Sequence, residues 1–527
     1  MKTSNLQLRI YLIGLMSTGL ACGTHKGDKQ NHPQPEATAN SPVEEEPIAP
    51  AGQNIVEPIK TPLIGAFLRS SVAANQTVRM DHAQVLLSND SGELAVVGVS
   101  RSRLQRTDMI EPSLGGDMFF ARFKPGSGWD GEPIQAAVKL PPAPAPTGTV
   151  TPAPSPLPAA LLRVKGGRML NSGKAMVAGE LDDTSFAQSQ LNLEETEAAS
   201  RNIFLSIIGA GSNGIIKSLR YGIQGDNTLA AVTDSPKSSG IIMGGFTTAG
   251  LLKDGVDRLS SMTASPANFI AELNEEGAVT RFASWPKEEV SGQPRTVQSL
   301  ASNAQYIFVA SAQDNAPAAF VRSVRLPDHR NIFQRLPERQ VCAEASIGAT
   351  SVRVVSMDAS DKELVVAVEI RTASVGSGFV LPCFEVFDIK DGGTIVARRE
   401  AVFLKDHPTI EATVNIRFVE GSKILLARSR ENTDSRGRVG VVVSFLFDRK
   451  NLDGAYQSRV WSISRPSEWY GGDEVNGMYR KVVQMLWPKG GARDVAWIVS
   501  NDVTEINGVN ESLTHIANYR VDPTAKD

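Results

Sequence analysis

Few residues in this chain combine the type and the spacing that chemistry requires. Among its six histidines, those in Asp81-His82 and Asp406-His407 are the candidate acid–base pairs. That is the pairing of a base with its orienting acid, but a single Asp-His pair in a loop is ordinarily a surface feature. No two histidines stand at metal-ligand spacing. His515 within LTHIANY reads as a strand residue, and His25 and His32 fall in a Pro- and Glu-rich stretch that reads as solvated. The run Gly209-Ala210-Gly211-Ser212-Asn213-Gly214 fits GxGxxG. A dinucleotide-binding turn must open a helix, whereas the IIKSLRYGI that follows has β-branched strand character, so the run reads as a hairpin turn. The segment from Asp388 to Gly393 has carboxylates and glycines but lacks the spaced oxygen ligands and final glutamate of a calcium loop. Asp358, Asp361 and Glu363 read as a solvated turn. No GxSxG, HExxH or Walker A pattern occurs. No catalytic residue, cofactor-binding residue or metal ligand is assigned on these grounds, and no cofactor is expected.

The chain has three cysteines. Neither Cys342 nor Cys383 has a histidine or lysine cluster beside it to stabilise a thiolate. Both read as lying within one repeat, and two thiols in an exported chain more often pair than stay free. A structural disulfide is expected, worth roughly 3–4 kcal/mol if it acts by restricting the unfolded chain.

The elements that must position these residues recur. Residues 93–128 hold an apolar strand, a polar loop, a second apolar strand and a glycine turn. The same plan returns at AVVGVS (95–100), AMVAGE (175–180), IIMGGF (241–246), YIFVAS (306–311), LVVAVEI (364–370), ILLARSR (424–430) and VAWIVSN (495–501). Each of these is preceded by another apolar segment and a turn, and followed after a loop by a third, from MFFARF to LTHIANY. A fourth segment usually follows, as in IQAAVKL (134–140) and ARREAVF (397–403). Forty-five glycines and thirty prolines suit a chain of many short strands and turns. Four short strands per unit, repeated round a ring, is the pattern of an all-β propeller, because one small sheet cannot bury both its faces until it stacks between neighbours. Seven blades are expected; six or eight follow if one weak unit is miscounted. The last unit lacks a fourth strand, which residues 63–72 (LIGAFLRSSV) are expected to supply. Residues 141–158, PPAPAPTGTVTPAPSPLP, cannot sustain a hydrogen-bonded ladder and read as an extended insertion between the first two blades.

Gly115-Gly116-Asp117-Met118-Phe119-Phe120-Ala121-Arg122, with turn glycines Gly126 and Gly128, resembles the unit of bacterial β-propeller-repeat proteins. Asn268-Phe269-Ile270-Ala271-Glu272 with Gly277 is a fainter match. The resemblance covers about two units well and the others in plan. It implies a fold and an exported location, with no common activity.

At the N-terminus, Lys2 and Arg9 precede an apolar run from Ile10 to Leu20, too short to span a bilayer, and then Gly19-Leu20-Ala21-Cys22. These four residues resemble the lipobox of bacterial lipoproteins, with Gly19 where leucine is usual. The resemblance implies cleavage after residue 21 and lipidation of Cys22. Gly23, in place of an inner-membrane retention aspartate, points to the outer membrane. The alternative is an ordinary signal peptide with an incidental cysteine. Several acyl chains make a stable anchor where one is marginal. Residues 22–58 have almost nothing to bury and read as a disordered lipidated linker, leaving 59–527 as the propeller domain.

A formal net charge of −3 without a basic block gives nucleic-acid binding no support. Loops joining second to third strands should emerge together at one end of the ring. They carry Arg101, Arg103, Asp182, Asp183, Asp314, Arg371, Arg430, Asp434 and Asp502, the candidate binding face. The expectation is a membrane-anchored, non-enzymatic binding or scaffolding module with an envelope protein or glycan as partner. The alternative is a periplasmic or surface polysaccharide lyase or hydrolase with its site at the channel mouth.

Overall fold

The computed structural model describes residues 56–58, 65–72, 82–102, 112–125, 127–131, 133–136, 162–183, 200–211, 214–221, 227–236, 238–248, 252–253, 256–257, 267–286, 295–313, 317–325, 334–373, 379–398, 401–404, 409–410, 414–419, 423–434, 437–452, 457–462, 475–486, 495–506 and 509–521. Each of the seven second segments is a strand: Leu94–Ser102, Ala175–Asp183, Ile241–Thr247, Tyr306–Gln313, Glu363–Thr372, Lys423–Asp434 and Val495–Ile506. Each pairs antiparallel with a first strand on one side and a third on the other. The GxGxxG run is a hairpin turn, with the Gly209 N–H donating to the Gly214 carbonyl at 2.9 Å between antiparallel strands Ser200–Ile208 and Ile215–Tyr221.

These units form an all-β propeller. Among the described residues they make six sheets of four or more strands, which corrects the expected seven separate blades to six. Sheets 1 to 5 hold one repeat each, while the sixth, of nine strands, holds the last two. The cause is strand length. Gly437–Asp448 and Val475–Leu486 each run for 12 residues, against 7 in Ile241–Thr247, and Val439 of the one pairs in parallel with Met478 of the other. Fourth strands are continuous in sheets 2 and 3, as Ile215–Tyr221 and Val279–Pro286, but short and broken in sheets 4 and 5, as Arg339–Val341 and Val402–Phe403.

Strand Gly65–Val72 lies antiparallel along Val509–Val521, with Gly65 opposite Ala517 and Val72 opposite Asn510. It completes the last repeat from the other end of the chain, as residues 63–72 were expected to do. Val56–Pro58 pairs further along the same strand, Val56 opposite Val521.

Packing accounts for the composition of the strands. The buried clusters each straddle two consecutive sheets: Val97 and Phe120 of sheet 1 with Val164 and Phe204 of sheet 2, then Met243 of sheet 3 with Leu205 of sheet 2, and so on round the ring. The circuit closes where Phe119 and Phe123 of sheet 1 meet Trp497, Val499 and Ile516 of the sixth sheet. A second strand is therefore covered on both faces, so IIMGGF is apolar at consecutive positions instead of alternating. Close approach dictates its glycines: a Cβ on Gly244 would stand 2.8 Å from Leu300 Cδ1 of sheet 4.

Cys342 and Cys383 are disulfide-bonded, with Cα atoms 6.5 Å apart. Their placement corrects the expectation of one shared repeat. Cys342 follows Arg339–Val341, an outer strand of sheet 4, whereas Cys383 lies in Phe379–Ile389, the third strand of sheet 5. The bridge therefore staples one sheet to the next. Cys342 has φ 50°, the one positive φ of a non-glycine among the described residues, at the start of the turn that brings its sulfur inward.

Candidate functional site

The site is built from a recurrent irregularity. In six of the seven repeats the first strand, the innermost of its unit, slips register against the second. The slips lie between Ala83 and Val85, Val164 and Gly166, Leu229 and Ala231, Val297 and Ser299, Val354 and Ser356, and Val482 and Gln484. A bulge removes a residue from the ladder and frees its polar groups for other partners. Several inner-strand N–H groups are met by side chains of the neighbouring repeat. Gln298 Oε1 accepts from Val354 N–H at 2.7 Å, Gln484 Oε1 accepts from Leu86 N–H at 2.7 Å, and Gln84 Oε1 accepts from Val164 N–H. Between sheets 5 and 6, Ser356 Oγ accepts from Ile416 N–H at 3.1 Å and Asp358 Oδ2 from Phe418 N–H at 2.8 Å. Each glutamine is thus fixed in orientation. Its oxygen must face the backbone N–H, which leaves the Nε2 amide with two donors to direct elsewhere.

That direction is a cavity of about 610 Å³, walled by the inner strands of all seven repeats and reaching along their C-terminal portions. The volume falls in the range of small-molecule sites. Gln84, Gln298, Gln484 and Asn415 contribute amides, Ser299, Ser302, Ser356 and Thr233 hydroxyls, Lys165 and Arg417 cations, and Asp234 and Asp358 carboxylates. Phe418 is the one aromatic side chain of the lining. Asn415 is buried, and its Nδ2 has no hydrogen-bond partner.

The charges are held in place. Arg417 Nη1 donates to the Met357 carbonyl at 2.8 Å, and Lys165 Nζ stands 3.5 Å from Glu180 Oε2. Burial pushes the Asp358 carboxyl above its usual range, opposed by the Arg417 guanidinium and by N–H donation from Phe418 and Ala359. The Arg449 guanidinium lies over the Phe418 ring, 4.7 Å from its centroid. Burial lowers its pKa, with Asp358 acting in the opposite sense. Behind it Glu363 pairs with both Arg398 and Arg449, tying sheet 5 to sheet 6.

Asp358 and Glu363 are therefore not the solvated turn residues that the sequence suggests. Asp358 lies within strand Ala349–Ala359 and faces the cavity, and Glu363 is buried in an ion-pair cluster. Asp361 is exposed. Asp388 is engaged by Lys390 at 2.9 Å and by Arg398 at 2.8 Å, and the Lys390 hydrogen bond leads the causes that hold its carboxyl below the usual range. Among the described residues no group of three or more histidine, cysteine or carboxylate side chains is placed to hold a metal.

The sequence-derived face lies elsewhere. Arg101, Asp182, Asp183, Arg371, Arg430, Asp434 and Asp502 fall not in loops, as expected, but in the C-terminal portions of second strands, which run on further than their apolar segments and lie beside the N-terminal portions of the inner strands. Arg371 is opposite Ser351, for instance, while cavity-lining Asp358 is opposite Val365. This face and the cavity lie towards different ends of the ring. Arg371 is exposed, and Arg103 and Asp314 lie outside the described residues. Strands His82–Ser88 and Val509–Val521 contain His82 and His515, while His329, His407, Cys22 and the proline-rich residues 141–158 also lie outside the described residues. No chemical motif marks the cavity glutamines. Their signal is a lone amide among apolar neighbours in a first-strand segment, as in QVLLS, TVQSL and VVQML.

No family model matches the chain, and no curated protein matches it. Among solved structures, the NanB sialidase of Streptococcus pneumoniae is similar over 86% of this chain and 70% of its own, at 11% identity and a TM-score of 0.36. Polysaccharide lyase Uly1 is similar over 68% of this chain and 89% of its own, at 9% identity and a TM-score of 0.33. Prolyl oligopeptidase B of Galerina marginata is similar over 81% of this chain and 47% of its own, at 10% identity and a TM-score of 0.32. Likenesses this distant assign no activity, and the fold rests on the strand pairing and packing described above.

Proposed function

We propose that this is an exported, lipid-anchored binding module of the bacterial outer membrane, without enzymatic activity. Acyl chains on Cys22 hold it to the bilayer, the residues between Cys22 and strand Val56–Pro58 form the tether, and the propeller body captures an envelope protein or glycan. The observation that supports capture is the cavity: every repeat contributes to its wall, and its glutamine donors are oriented in advance by bonds to the next inner strand. Donors fixed before a ligand arrives lose little freedom on binding, which favours affinity.

The test uses the full chain, extracted in detergent, as bait against solubilised envelope. A reproducible protein or glycan partner is expected, and Cys22→Ala should move the protein from the membrane to the soluble fraction. Recovery of Cys22→Ala in the membrane fraction would overturn the anchor.

A polysaccharide lyase or hydrolase is the second reading. Asp358 favours it: a carboxyl raised by burial beside the Arg417 cation, in a cavity, has the character of a proton donor. Turnover of an envelope polysaccharide that is lost in Asp358→Asn would establish it in place of the first.

A further inference from the structure

We infer that the cavity binds a small polyhydroxy carboxylate, the chemistry of an acidic monosaccharide, through the amides of Gln84, Gln298 and Gln484 and the cations of Lys165 and Arg417. This deepens the binding-module reading and rests on it.

Hydrogen-bond direction carries the argument. The oxygens of the three glutamines are taken by backbone N–H groups, so these side chains meet the cavity as donors. Lys165 and Arg417 add positive charge, and an oxygen-rich anion satisfies amides and cations together.

The lining also constrains what else the ligand carries. Asp234 and Asp358 face the same space. A bare oxyanion would be repelled by them and would offer nothing to their oxygens. A ligand with hydroxyl groups besides its carboxylate donates to Asp358 and Asp234 while accepting from the amides. A volume of about 610 Å³ leaves room for one or two sugar rings.

The probe is D-glucuronate, titrated calorimetrically into the full chain in detergent, with D-glucose as the neutral control of the same shape. Glucuronate should bind at least about tenfold more tightly than glucose, the size of effect expected of charge-assisted hydrogen bonds. Gln298→Glu and Gln484→Glu each keep the oxygen that accepts from the backbone and replace the donor by a second, anionic oxygen. Each should weaken glucuronate binding by about tenfold or more, with the melting temperature little changed. Equal binding of the two sugars, no binding of either, or undiminished binding in both variants would overturn the inference. Should either variant fail to fold, the discrimination between the sugars by the unaltered protein still decides. Envelope capture that persists without glucuronate binding would sink this site and leave the binding module standing. Cleavage of a glucuronate-containing polymer would sink the non-enzymatic reading and leave the site.

Discussion

Gln484 of the last repeat accepts the backbone N–H of Leu86 in the first, at 2.7 Å across 398 residues of sequence. This side chain bonds one end of the repeat series to the other in the wall of the cavity. Gln484→Leu would leave the Leu86 N–H without its acceptor and should cost about 1–3 kcal/mol. Gln484→Glu retains the acceptor and should cost far less. Urea denaturation of the two variants beside the parent protein checks the difference, and equal losses would refute it.

The inter-sheet disulfide gives a second expectation. Removing the Cys342–Cys383 bridge frees a loop with a sequence separation of 41 residues, which should lower stability by about 4 kcal/mol in the chain-entropy account. A reductant should lower the melting temperature of the parent protein and leave a Cys342→Ser, Cys383→Ser variant unmoved. Because the bridge joins two sheets, its loss should loosen the boundary between sheets 4 and 5 first. Hydrogen exchange at Phe379–Ile389 would report this.

Glu385 sets a pH dependence. Its carboxylate accepts from Cys342 N–H at 2.8 Å, yet burial dominates and raises its pKa from 4.5 to about 6. The folded protein therefore holds this proton more tightly than the unfolded chain. The resulting stabilisation is complete below about pH 4.5 and is lost as pH rises through about 6, in total roughly 2 kcal/mol. Glu385→Gln should remove this component, so the stability difference between parent and variant should change between pH 4.5 and 7 in that sense. A flat difference would refute it. The measurement must be a difference, because Glu338 and Asp388 have depressed pKa values, and their stabilisation is lost in the opposite direction, as pH falls.

Glu363, buried between Arg398 and Arg449, offers a fourth test. Glu363→Ala leaves two guanidinium groups without their shared carboxylate and should cost about 3–5 kcal/mol, as one-sided removal from a buried pair does. A loss below about 1 kcal/mol, the level of an exposed pair, would show the cluster to be open to water.

The legible part of this fold was set by local chemistry. Apolar segments entered from polar turns, from Asn-Asp-Ser-Gly in the first unit to Gly-Gly in the last, marked all seven second strands, and the unmatched last unit marked residues 63–72 as its completion. Blade separation was not legible, because it depends on strands of sheet 6 running on until Val439 meets Met478. Nor was the sheet-to-sheet course of the disulfide, since fourth strands as short as Arg339–Val341 carry almost no periodicity. The cavity was hidden for a different reason. Gln84 and Gln298 are skipped by a bulge and Gln484 stands next to one, each set against the next inner strand there, and a bulge is a matter of register between strands. Charged loops such as those beside Arg371 and Asp434 draw attention in a sequence, whereas an amide among valines and leucines does not.

The pairing of Gly65–Val72 with Val509–Val521 bears on the order in which the protein comes into being. Strand Gly65–Val72 must wait, unpaired, until Val509–Val521 has been added. Each intervening sheet can gather its own strands as they emerge, since those contacts are local, but the ring cannot shut during synthesis. Closure is the late, slow event that a contact of such long range imposes. Until then the polypeptide stays open, a row of stacked sheets with two unjoined ends.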